Sequence, residues 1–232
     1  MVNGIGNRQI SEQRAYIAAG VSEEFEKNIF QSIENLTKFS SASNQAISNF
    51  DNVIILKNAD SDMPDSFTRT QEKLDKYARD AFGFVSKSER AIVLVEDNHK
   101  RKNTRLEGDV VSQGGDTITH EIGHLLDKEY STTNEFKEAY LQDLKAIHSM
   151  LQDENAEVCG ENLEEMIVYL KHYIEGVNFE DGIDETDITR EGLRENFAEC
   201  FSTLADSNPT KINEIYSTLF PHTMEVTRQF VA

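Results

Sequence analysis

Apolar positions recur at helical spacing between Ser22 and Lys38, where Phe25, Ile29, Ile33 and Leu36 share one face. Ser22, just ahead of them, is a capping residue type. The Ser- and Asn-rich stretch 39–49 carries no such period and reads as a loop. The pattern then changes. Residues 52–57 (NVIILK) and 90–96 (RAIVLVE) are short β-branched runs with polar ends, which predicts strands. Between them come a turn-rich stretch, a helix from Phe67 to Ala81, and a short strand from Phe82 to Val85. Asp97 to Arg105, the most basic stretch, reads as a solvated turn. Gly108 to Val111 reads as one more strand, ended by Gln113-Gly114-Gly115. A helix then runs from Asp116 to about Glu129, capped by Asp116 or Thr117.

Beyond Asn134 the period is almost wholly helical. Asn134–Met150 carries Phe136, Tyr140, Leu144 and Ile147, and Val158–Ile174 carries Leu163, Ile167, Leu170 and Ile174. Arg190–Ala205 is a further helix. Pro209 opens a last one, Thr210–Leu219, before a tail from Pro221. Asn178–Asp187 is an acidic loop. Strands early and helices late predict an α+β fold, with a small N-terminal mixed sheet and a mainly helical C-terminal half. Residues 1–50 form an N-terminal helical segment contiguous with a domain over 51–232. No repeat or linker interrupts the chain.

Charge narrows the partners. The 232 residues hold 42 Asp and Glu against 23 Lys and Arg, a formal net charge of −19. No basic region offsets it, which argues against nucleic acid. The excess is concentrated: Leu151 to Cys200 contains 15 acids and 3 bases. A run of this kind is ordinarily a solvated face; its alternative use is to favour basic substrates. No apolar run is long enough to span a membrane, and no standard secretory signal stands at the N-terminus. Cys159 and Cys200 are too few for a disulfide scaffold and read as reduced core thiols.

Candidate chemistry is concentrated at His120-Glu121-Ile122-Gly123-His124. Histidines four apart on a helix share a face and can reach one Zn²⁺, with Glu121 beside them as a general base. Ile118, Ile122, Leu125 and Leu126 flank the motif with apolar side chains. Gly123 costs the helix about 1 kcal/mol relative to Ala. A catalytic zinc needs a third protein ligand and an open position. No histidine follows His124 at the spacing of a three-histidine site, so a carboxylate is expected. Glu195 and Glu199 share one face of a later helix; one can bind the metal and the other can orient a ligating imidazole. Glu161, Glu164 and Glu165 are weaker alternatives. Asp127, three residues past His124, suits a supporting role.

The segments HEIGHLLD and ENFAECF resemble the catalytic domain of the anthrax lethal factor family, which includes the Pro-Pro endopeptidases. The likeness extends in organisation over about the last half of the chain, with detailed agreement only in these motifs. It implies a zincin-like metalloprotease fold and one Zn²⁺ per chain, held by His120, His124 and Glu195. It implies Glu121 as base and Glu199 as a supporting carboxylate. It also implies a zinc endopeptidase acting on a protein or peptide substrate, and a secreted or host-injected bacterial toxin or virulence effector; the alternative location is the cytoplasm. Two departures stand out. The family's oxyanion-steadying tyrosine corresponds to Ile188, leaving Tyr169, Tyr173, Arg190 and Arg194 as replacements. The span between His124 and Glu195 is also longer than in the family.

The expected reaction is peptide hydrolysis, with Glu121 moving the proton and an exposed strand edge pairing with an extended substrate. Gly108–Val111 and Arg90–Glu96 are the candidate edges. The rival readings are a non-proteolytic interaction protein with a structural or degenerate zinc site, and a zinc hydrolase of a non-protein amide.

Overall fold

The computed structural model describes residues 6–10, 13–179, 182–206 and 209–232. Two residues of the expected acidic loop, Glu180 and Asp181, lie outside the described residues. Two compact units divide after Leu125.

The first unit is built on a mixed sheet. Its elements are β1 (Gly6–Ile10), β2 (Gln13–Ile17), α1 (Glu23–Phe39), α2 (Ser41–Ser48), β3 (Asn52–Leu56), α3 (Thr68–Lys73), β4 (Gly83–Ser86), β5 (Ala91–Val95), α4 (Glu96–His99) and α5 (Thr104–Glu107). A single π-helical turn, Leu74–Ala78, extends α3. Helix α6 (Val110–Tyr130) starts in this unit and ends in the second. The strand order is β1-β2-β3-β5-β4. β2, β3 and β5 run parallel, and β1 and β4 are antiparallel outer strands. Every residue of β5 is buried. That burial on both faces explains its uninterrupted apolar run. Ile54, Leu56, Val93 and Val95 face a cluster with Phe67, Leu74 and Phe84. The alternate residues Val53, Ile55, Ile92 and Leu94 are buried as well.

The expected mixed sheet and the helix over 22–38 are present, with the Ser22 hydroxyl capping the Phe25 amide. Several readings need correction. The 39–49 stretch is helical, because Ser40 and Ser43 form a reciprocal capping box that starts α2. Two strands precede α1 where the pattern showed none. Gly108–Val111 is not a strand. Helix α6 already begins at Val110 and carries Gly114 and Gly115 inside it. A Cβ on Gly114 would sit 2.4 Å from the Phe25 ring, and one on Gly115 2.6 Å from the Asn28 amide nitrogen. The glycines thus allow α1 and α6 to approach closely, and Asn28 Nδ2 donates to the Val111 carbonyl at 2.6 Å. Nor is 97–105 simply solvated, since Asn98 and His99 are buried. Asn98 donates to the carbonyls of Arg79 and Ala81.

The second unit is helical apart from one small hairpin. It holds α7 (Asn134–Met150), β6 (Glu157–Val158), β7 (Glu161–Asn162), α8 (Leu163–Tyr169), α9 (Arg190–Ala205), α10 (Lys211–Leu219) and α11 (Pro221–Val231). The expected helix over 158–174 is therefore broken into a hairpin, α8 and a 3₁₀ turn, Lys171–Ile174. Cys159 and Gly160 both have positive φ in the hairpin turn. This removes Cys159 from the core, while Cys200 is buried; both thiols are free. Helix α9 packs against α10, α11 and the 3₁₀ turn. Phe197 anchors it, with Phe136 edge-on at 5.5 Å and Tyr130 stacked at 5.8 Å. The expected tail from Pro221 is a helix, because buried Asp143 of α7 accepts from the His222 and Thr223 amides at its start. No helix among the described residues is long and apolar enough to cross a membrane.

Candidate metal centre

Helix α6 presents His120 and His124 one turn apart, their rings edge-on with centroids 4.8 Å apart. Helix α9 presents Glu195. One ligand atom from each of the three lies within 4.8 Å of the others. His124 is 8 % exposed and Glu195 6 %. Two imidazoles and one carboxylate are the donor types of a catalytic zinc site. Tetrahedral bonds of about 2.0–2.1 Å put ligand atoms about 3.3 Å apart, so atoms within 4.8 Å of one another are near the separation an ion requires. The three residues fit a metal, and a three-ligand set leaves a coordination position open.

Glu121 follows His120 directly and is 7 % exposed. It lies under β4: a Cβ on Gly83 would come 3.3 Å from Glu121 Cγ. Helix α6 is steadied on the same side by His99, whose Nδ1 lies 2.9 Å from the Val95 carbonyl and whose Nε2 lies 2.9 Å from Thr117 Oγ1. A carbonyl only accepts, so Nδ1 carries the proton and Nε2 accepts from Thr117. Burial, then Lys102 nearby, lowers the His99 pKa to about 4. The ring is therefore neutral at physiological pH.

Asp127 is 1 % exposed and accepts from Arg194 Nε at 2.8 Å. Burial works against the guanidinium charge, but Asp127, with Glu191 and Glu195, outweighs it and the Arg194 pKa is raised. Arg194 also bonds Glu191 at 2.9 Å. Glu199 is buried one turn beyond Glu195. Tyr169 is exposed at the end of α8, and Arg190 is exposed in the first turn of α9. The Tyr173 ring packs edge-on against Tyr216 at 5.6 Å. Glu161, Glu164 and Glu165 are outside the three-residue group.

Sequence reasoning missed His172. Its Nε2 lies 3.1 Å from Glu195 Oε2. The available signal was position: of the six histidines, His172 is nearest in sequence to Glu195. The turn that carries it is fixed from two sides. Tyr140 donates to the Tyr173 carbonyl at 3.0 Å, and Thr189 Oγ1 donates to the Glu175 carbonyl at 2.7 Å. Gly192 permits this approach, since a Cβ there would meet the Glu175 carbonyl oxygen at 3.2 Å. His172 also lines a pocket of about 540 Å³ walled by Ile167, Val168, Val177 and Phe179.

No protein-family model, curated protein or solved structure matches the chain. Functional argument therefore rests on the site itself.

Proposed function

We propose that the protein is a zinc-dependent endopeptidase with a zincin-like catalytic arrangement. The observation that carries this reading is the gathering of His120, His124 and Glu195 into one ligand group, with Glu121 adjacent on the same helix. Zn²⁺ held there would supply Lewis acidity and make a water molecule acidic enough to be deprotonated near neutral pH. Glu121 takes that proton and returns it to the leaving amine. His120, His124 and Glu195 would hold the ion, and Arg194 neutralises the buried Asp127 carboxylate three residues past His124.

The substrate edge differs from both segments expected. Gly108–Val111 is helical, and β5 lies between β3 and β4. β4 is an outer strand, and Gly83 on it adjoins Glu121. An extended peptide paired with β4 would run beside the base by main-chain hydrogen bonding. The pocket beside His172 offers room for a side chain. The likeness of HEIGHLLD and ENFAECF to the lethal factor family supports peptide bonds over other amides, and it is the sole support for a secreted or host-delivered role.

The test is incubation of wild type and Glu121→Ala with a diverse peptide library, with zinc measured in both. Zinc near one per chain in both, with cleavage by wild type alone, is expected. A zinc-loaded wild type that cleaves no peptide would overturn the proposal.

A further inference from the structure

His172 occupies an unusual place for an exposed histidine. Its side chain is 64 % exposed, yet its Nε2 reaches the carboxylate of buried Glu195 at 3.1 Å. The ligand group comprises His120, His124 and Glu195 without His172. A third imidazole close enough to join would have supplied a fourth ligand and closed the site; His172 instead meets the carboxylate from its exposed side. A carboxylate can bind a metal through one oxygen or both. An N–H donated to Oε2 draws on the lone pairs of that oxygen and biases the carboxylate toward binding an ion through Oε1.

We propose that His172 is the positioning residue that keeps Glu195 a one-oxygen ligand, preserving the open position that hydrolysis requires. This rests on the metal site described under Proposed function. The fold invests in the placement: Tyr140, Thr189 and Gly192 pin the backbone on the C-terminal side of His172 against the start of α9. His172 also lines the pocket. An occupant there touches the group that sets Glu195, which puts substrate contact and metal geometry on one side chain. No proton transfer by His172 is needed, since a neutral imidazole carrying its proton on Nε2 donates equally well.

The test uses the full chain loaded with Co²⁺ or Zn²⁺, comparing wild type, His172→Phe and His172→Gln. The side chain is exposed, and thermal melting checks that the variants fold. Wild type should give the intense visible bands of four-coordinate Co²⁺. His172→Phe should give the weaker bands of a five-coordinate ion, with zinc affinity reduced about tenfold. His172→Gln, which keeps an N–H donor, should restore the wild-type spectrum. X-ray absorption should count two histidines on zinc in all three proteins. Unchanged spectra and affinity in His172→Phe would overturn the proposal. So would three histidines in wild type and two in the variant, which would make His172 a ligand. Failure of wild type to bind either metal would remove the metal centre itself, whereas normal binding with no peptide cleavage would remove only the protease reading.

Discussion

Gly83 of β4 and Glu121 of α6 are packed so closely that a Cβ on Gly83 would lie 3.3 Å from Glu121 Cγ. The same Cβ would meet Thr117 Cγ2 at 2.8 Å and the Val93 carbonyl oxygen at 3.0 Å. The carbonyl belongs to the sheet and cannot swing aside. Gly83→Ala should therefore move β4 relative to α6 or turn Glu121 away. Misplacement of a reacting group by about 1 Å can cost about 100-fold in rate. A fall in kcat/KM of about 10- to 100-fold is expected, with zinc content unchanged. Peptidase assay and metal analysis of the same samples check this, and wild-type activity in the variant would refute it.

His99 makes stability depend on pH. Its folded pKa is about 4 against an ordinary 6.5, because burial disfavours the charged ring. As pH falls below 6.5, the unfolded chain takes up a proton here that the folded chain does not. Stability is therefore intact above pH 6.5 and declines toward pH 4, by about 3 kcal/mol in all. His99→Gln should be less stable at neutral pH and should lose that part of the slope. Urea denaturation at neutral pH and about pH 4.5 measures it. Equal slopes in the two proteins would remove His99 as the cause.

Much of this was legible in the chain, and the misses have physical reasons. Periodicity placed α1, β3, β5, α7 and α9, since each buries one stripe or both faces. It failed at Gly114-Gly115, where glycine serves close packing against Phe25 and Asn28 rather than a turn. It failed over 39–49, where serine is a cap, and at Pro221, where the capping carboxylate comes from distant Asp143. At the metal centre, the helical spacing gave His120, Glu121 and His124. Spacing left Glu195 and Glu199 equivalent, and their three-dimensional setting separates them. The His172 contact with Glu195 joins two elements whose register no local pattern encodes.

Asp143 should be a major stability determinant without bearing on metal binding. It is fully buried and accepts from the His222 amide at 3.2 Å, His222 Nδ1 at 2.6 Å and the Thr223 amide at 2.9 Å. The Thr223 hydroxyl donates to it as well. Removing it strands the donors at the start of α11. Asp143→Ala should cost about 3 kcal/mol. Denaturant midpoints would show this, and a loss under about 1 kcal/mol would contradict the capping role.

Glu195 and Glu199 provide the sharpest test of the metal centre. Both are buried on α9, and they lie four residues apart on one face. Only Glu195 contributes an atom to the ligand group. Loss of a directly bound carboxylate leaves two protein ligands, below the three that hold a catalytic zinc. Glu195→Ala should therefore leave little zinc after dialysis against a weak chelator. Loss of a carboxylate that only orients a ligating imidazole costs about 10- to 100-fold in affinity. Glu199→Ala should therefore retain zinc under the same dialysis and show the smaller loss in a competition titration. Equal losses would mean that both carboxylates bind the ion. A greater loss in Glu199→Ala would exchange the two roles, and with them the assignment of His172 to the ligating carboxylate.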